Sequence, residues 1–159
     1  MITTAPAPPT VLRARIDAFV EAFNVNDLDA VMTFFRDDAV YRPGDGKEHR
    51  GKTAIRAAFL PQFQGVYGKM RFDEHDRLID EAARKATIRW ICRHDFHGAY
   101  SARVPRLQRA FYRVLIGGEQ GGWQGLDVLH FDAGGYIVGK FTYSEASRPL
   151  VQRKYGEAL

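Results

Sequence analysis

The feature that most constrains this chain is a change of hydrophobic period near Lys69. Before it apolar residues recur at helical spacing, and after it they alternate as on strands with one buried face. Val11, Leu12, Ile16, Phe19, Val20 and Phe23 form one stripe, with Arg13, Asp17 and Glu21 opposite, which predicts a first helix. Asn24-Val25-Asn26 ends it, and Asp27 is placed to cap a second short helix carrying Leu28, Val31, Met32, Phe34 and Phe35. Ala39-Val40-Tyr41-Arg42 reads as a short strand stopped by the breaker cluster Pro43-Gly44-Asp45-Gly46. Gly51-Lys52-Thr53 then opens a third helix that runs to about Phe63, with Pro61 marking its end.

Beyond Lys69, Met70 to Ile79 and Ala83 to Phe96 read as strands. The second sends Ile88, Trp90, Cys92, His94 and Phe96 to one face and Thr87, Arg89, Ile91, Arg93 and Asp95 to the other. Trp123 to Phe131 and Tyr136 to Glu145 form a last hairpin around Asp132-Ala133-Gly134-Gly135. Three helices followed by a mainly antiparallel sheet predict an α+β fold in which the sheet curls around the helices. One domain is expected over 11–146, between a flexible segment 1–10 and a tail 147–159. A hairpin insert at about 99–122 carries Arg103, Arg106, Arg109 and Arg113 on one stripe and Val104, Leu107, Phe111, Val114 and Leu115 on another. It reads as an amphipathic helix: a surface helix with a solvated cationic face, a lid over a pocket, or a contact for a partner or acidic surface. Gly117-Gly118 and Gly121-Gly122 flank its end, so it is able to move as a unit.

With 159 residues the chain can build a core without staples, and one cysteine permits no internal disulfide. That fits a reducing cytoplasm, and the cytoplasm is the expected location. The start lacks a cationic region and an apolar run, so it does not read as a signal peptide, and no apolar stretch is long enough for a membrane span. The net charge of +4 comes mostly from dispersed arginines without a long basic block, so no nucleic acid and no membrane are expected as partners. An aromatic content of 13% points instead to a dense core or an aromatic-lined cavity.

Asp127 is the strongest single candidate for chemistry. Its strand face also carries Trp123, Gly125, Leu129 and Phe131, and burial among apolar groups disfavours a charged carboxylate. Such a group serves as a general acid, a hydrogen-bond donor or an unusually strong base, or it is a core Asp satisfied by backbone amides or by a Tyr or His. His94 points to the same apolar side, where a carboxylate neighbour would make a His–Asp dyad, although a lone inward His is more often a core residue. Tyr41, beside the breaker loop, is placed to polarise a carbonyl or epoxide oxygen, or to close the core edge. Cys92 reads as inert packing, and His49, His75, His97 and His130 lack metal-ligand spacing, so neither a metal nor another cofactor is expected.

The segments FVEAFNVNDLDAVMTFFRDDAVYRPGDGKEHRGKTAIRAAF and GLDVLHFDAGGYIVGKFTYSE, with the long Trp90 strand between them, resemble the nuclear transport factor 2-like superfamily. Within it the match is to the SnoaL-like group of polyketide cyclases, ketosteroid isomerases and limonene-epoxide hydrolases. The resemblance runs from about Val11 to Glu145, the insert apart. It implies a cone-shaped curved sheet wrapping three N-terminal helices around a deep apolar pocket, commonly in a homodimer. Asp127 matches the ketosteroid isomerase carboxyl that donates into the oxyanion hole, while Pro43 and Phe19 occupy that family's base and oxyanion-tyrosine positions. Tyr41 matches the water-holding tyrosine of the epoxide hydrolases. Their other positions are taken by Pro43, Thr142 and Arg89-Trp90-Ile91, and Arg93-His94-Asp95 carries the Arg-x-Asp residue types four residues late. By this alignment Lys140 and Thr142 line the cavity.

The expectation is a cofactor-free acid/base enzyme of cyclase, isomerase, dehydratase or hydrolase type acting on a small apolar or polyketide-like molecule. Asp127, His94 and Tyr41 would be catalytic, and Phe19, Phe23, Phe34, Phe59, Trp90, Cys92, Trp123, Leu129, Phe131, Lys140 and Thr142 would line the pocket. The alternative is a non-catalytic ligand-binding or association module of the same fold.

Overall fold

A computed structural model describes residues 11–96, 104–116 and 122–144. Helix α1 (Val11–Asn24) buries Leu12, Ile16, Phe19 and Phe23 as its period requires, whereas Val11 is exposed rather than part of the stripe. Helix α2 (Leu28–Thr33) starts where the Asp27 carboxylate accepts the Ala30 amide at 2.9 Å. It stops earlier than expected, because Phe35 is already the first residue of β1 (Phe35–Arg42) and is fully buried there. Aromatic spacing alone does not separate a helix end from the strand that follows it.

A two-residue strand that the sequence did not predict, β2 (His49–Arg50), pairs with β1 after the breaker loop. Helix α3 (Lys52–Phe63) runs through Pro61 instead of ending there. The Pro61 carbonyl closes the helix by accepting the Val66 amide at 3.1 Å, while the Gly65 amide reaches Gln62 and Gly65 takes a φ of 80°. These paired bonds are a Schellman closure, and glycine meets its left-handed residue without strain.

Strands β3 (Lys69–Asp80), β4 (Lys85–Asp95), β5 (Gly122–Phe131) and β6 (Ile137–Ser144) fall where alternation placed them, and helix α4 (Arg106–Ile116) is the expected insert. The sheet order is β2-β1-β6-β5-β4-β3. Every neighbouring pair is antiparallel except β1 and β6, which run parallel and join the N-terminal strand to the last one. Register shifts interrupt β1, β3 and the β5–β6 ladder, and bulges of this kind bend a sheet. In β3 the shift between Glu74 and Asp76 moves the inward positions from Met70, Phe72 and Glu74 to Arg77 and Ile79.

The helices cover the concave face through aromatic contacts. Phe23 of α1 meets Phe72 of β3 at 5.7 Å, and Phe59 of α3 meets Tyr41 of β1 at 4.7 Å. Asn24 ties α1 to β3 from both ends of its amide, donating to the Phe72 carbonyl at 3.2 Å and accepting the Phe72 amide at 2.8 Å. The expected N-terminal segment and C-terminal tail, Arg103, His97, Glu145 and the glycines at 117, 118 and 121 lie outside the described residues.

Candidate functional site

Between α1, α3 and the concave sheet face lies a cavity of about 160 Å³. Its walls are largely aromatic: Phe19 and Phe23 from α1, Phe59 from α3, Phe72 from β3, Trp90 from β4 and Trp123 from β5. Gln62, Pro43, Gly44 and Ser144 contribute to the lining as well. Trp90 has its place because Gly125 stands opposite it on β5; a Cβ at Gly125 would sit 2.6 Å from the indole. A methyl group there therefore forces the ring out of its slot.

Four polar residues meet at one end of the cavity because of strand register. Asp127 pairs with Thr142, Leu129 with Lys140, and Tyr41 on the parallel side with Lys140. The pleat turns Asp127, Lys140 and Thr142 inward, while Tyr143 on the alternate position is 63% exposed. Asp127 is 8% and Lys140 5% exposed. The Lys140 ammonium donates to Asp127 Oδ1 at 2.6 Å and to Thr142 Oγ1 at 2.8 Å, and Thr142 donates to the same Oδ1 at 2.5 Å. A buried ion pair persists only when its geometry and remaining hydrogen bonds offset the lost hydration, and here the threonine supplies the extra bond. The picture of Asp127 as a carboxyl isolated among apolar rings is thus corrected. Its partner is a lysine thirteen residues away along the chain, brought in by the β5–β6 hairpin.

Two features leave this cluster open to a ligand. All contacts to Asp127 converge on Oδ1, and Oδ2 has no hydrogen bond among the described residues and is not among the sealed, unpartnered atoms. Lys140 uses two of its three N–H groups, and its nitrogen lies 5.1 Å from the centre of the Tyr41 ring. Burial pushes the Tyr41 phenol well above its ordinary range, the Asp127 charge adds to this, and a hydrogen bond with Thr142 opposes it. Tyr41 is therefore a neutral hydroxyl at physiological pH. Glu74, the other acid on the lining, is held by a two-point pair with Arg77, which also reaches Asp17.

His94 is not part of this site. Asp127 pairs with Ile88, and His94 lies six residues further along β4, about 20 Å away at strand spacing. Its Nδ1 donates to the Tyr67 carbonyl at 2.8 Å, and its ring lies edge-on to Trp123 at 4.9 Å, so it packs behind a cavity wall. Burial lowers its pKa, against a smaller opposing effect of the Tyr67 bond. The expected His–Asp dyad does not form, because two residues on one inward face need not be cross-strand neighbours.

Of the expected lining residues, Phe19, Phe23, Phe59, Trp90, Trp123, Lys140 and Thr142 border the cavity. Phe34, Cys92, Leu129 and Phe131 do not. Phe34 packs between Phe19 and the Arg15 guanidinium, and Leu129 and Phe131 belong to the core. Cys92 is fully buried with its thiol pushed upward by burial, which keeps it protonated. Met70, Phe72 and Ile88 went unassigned as lining, although their alternation on β3 and β4 carries the same inward signal as Trp90. Among the described residues no three His, Cys, Asp or Glu side chains gather as a metal donor set.

Residues 16–139 match the family model of the SnoaL-like domain. The chain belongs to this family. A search of the curated proteins finds no match. Among solved structures, an NTF2-like protein of unknown function from Cytophaga hutchinsonii superposes with a TM-score of 0.58 at 9% identity, covering 88% of this chain and 95% of that one. A steroid delta-isomerase from Pseudomonas aeruginosa gives 0.59 at 16% identity over 88% and 84%. The epoxide hydrolase/cyclase-like enzyme SalBIII, described in pyran ring formation in polyether salinomycin, gives 0.60 at 12% identity over 84% and 89%. These likenesses establish the NTF2-like fold, which houses more than one chemistry.

Proposed function

We propose that this SnoaL-like protein is an acid/base enzyme acting on a small apolar molecule that carries a carbonyl or comparable oxygen. The observation that carries the reading is Oδ2 of Asp127, which has no hydrogen bond among the described residues, in a cavity whose walls are largely aromatic. Lys140 and Thr142 hold the carboxylate by Oδ1 and leave Oδ2 to take a proton from carbon or oxygen and return it. The remaining Lys140 N–H and the neutral Tyr41 hydroxyl are donors for an oxygen on which negative charge develops. That division of roles serves isomerisation, cyclisation and dehydration alike, and the first two are named for the steroid delta-isomerase and the epoxide hydrolase/cyclase-like enzyme of the same fold. A volume of about 160 Å³ favours a single ring or a chain of similar bulk, since a cavity of that order accommodates benzene.

The test is proton exchange. In deuterated water, a small cyclic ketone such as cyclohexenone is expected to exchange its α-hydrogens with the protein present, followed by NMR. Asp127→Asn should slow this by about 10²-fold or more, measured below the variant's thermal transition because the change leaves Lys140 without its counter-charge. Exchange at the buffer rate with wild-type protein, or an equal rate in Asp127→Asn, removes the proposal. Ketone binding without exchange would favour a binding module, in which the Lys140–Asp127 pair serves only the fold.

A further inference from the structure

The orientation of α4 reverses what its amphipathic pattern suggests. Leu107, Phe111 and Val114 recur at i, i+4 and i+7 on one stripe, the face a helix normally buries. Here they are 87%, 62% and 78% exposed. The helix is anchored from another side: Tyr112 packs edge-on against Tyr67 at 5.1 Å, and Tyr67 in turn meets the cavity wall Trp123 at 5.7 Å. Val104, just before the helix, is buried. An apolar ridge thus stands outward, and α4 carries three arginines and no acidic residue. Arg106 and Arg113 are exposed and sit in no ion pair among the described residues.

We propose that α4 docks this protein onto an anionic membrane surface, its apolar ridge entering the acyl boundary and Arg106 and Arg113 meeting lipid phosphates. Charge complementarity selects this occupant. In a symmetric contact between two copies of α4, the arginines flanking one ridge would face those flanking the other, and like charges at close range oppose association. An anionic bilayer supplies apolar depth and negative charge together, the combination that interfacial helices with a Leu/Phe ridge and basic flanks match. Docking of this kind needs no spanning segment, and no described helix is long and apolar enough to cross a membrane. It goes against the expectation from sequence that no membrane takes part, and it is independent of the acid/base reading.

The experiment is co-sedimentation of the full chain with phosphatidylcholine vesicles containing about one third phosphatidylserine, set against pure phosphatidylcholine. Wild-type protein should bind the anionic vesicles and lose most of that binding near 0.5 M salt, as Debye screening requires. Leu107→Ser with Phe111→Ser, and separately Arg106→Glu with Arg113→Glu, should each weaken binding by about tenfold or more. All four side chains are exposed, and a wild-type thermal transition in either variant shows the fold intact. Failure of wild-type protein to bind anionic vesicles overturns the proposal, as does binding unchanged in both variants. Loss of self-association in the serine variant, without vesicle binding by wild-type protein, would assign the ridge to a contact between copies and overturns it equally.

Discussion

Lys140 and Asp127 form a charge pair whose members are each costly alone and tolerable together. Replacing Lys140 with Met leaves a carboxylate buried without its counter-charge, and removal of one partner of such a pair costs about 3–5 kcal/mol. Urea unfolding should register that loss. Adding Asp127→Leu to Lys140→Met should restore much of it, since an apolar pair carries no desolvation penalty. Restoration by the second change is the informative result, because two independent losses would simply add.

His94 makes a separate residue-scale prediction through proton linkage. Its folded pKa is depressed by burial, so as pH falls below about 6.5 the unfolded chain takes up a proton that the native state refuses. Stability from this group is therefore complete above the unfolded pKa and declines as pH falls toward the folded value. His94→Asn keeps a donor for the Tyr67 carbonyl but does not titrate. Its melting temperature between pH 7 and 5 should depend on pH less steeply than that of wild-type protein. Identical slopes would show that His94 does not govern this window.

At the scale of elements, strand pairing decides the shape of the cavity. Trp90 and Gly125 are cross-strand partners, and the indole occupies the space that a side chain at 125 would take. Gly125→Ala should destabilise the fold by about 1–3 kcal/mol, the usual range for overpacking, and shift the fluorescence of Trp90. A variant with wild-type stability and spectrum would show that β5 yields at this position.

The elements differed in how plainly the sequence announced them. The alternation of β4 and the Asp27 cap were legible because each depends on local geometry. The division between α2 and β1 was not, since Phe34 and Phe35 continue the apolar spacing across the boundary. Nor was the inward turn of Arg77, since a bulge inverts side-chain parity and leaves no fixed residue signature.

Across the whole molecule, many cations lie beside acids: Arg36 with Asp38, Arg56 with Asp29, Arg89 with Asp76, and Arg93 with Asp73. Exposed pairs of this sort contribute little to stability and are screened by salt. Raising salt from about 0.05 to 0.5 M should therefore change unfolding free energy by less than about 1 kcal/mol while it releases the protein from anionic vesicles. A large loss of stability over the same range would mean that these pairs act as a network.

The sequence by itself determined the α+β succession, the inward face of β4 and the presence of Asp127 on an apolar strand face, because hydrophobic period is a local property of the chain. It could not determine that Asp127 meets Lys140 rather than His94, because that follows from the register of β5 on β6 and on β4, nor that Tyr41 joins them, because that follows from the parallel meeting of β1 with β6, which are far apart in the chain. It also could not say which side of α4 faces inward. A helix with two distinct faces offers both, and only packing of Tyr112 against Tyr67 chose the one that leaves the apolar ridge outside.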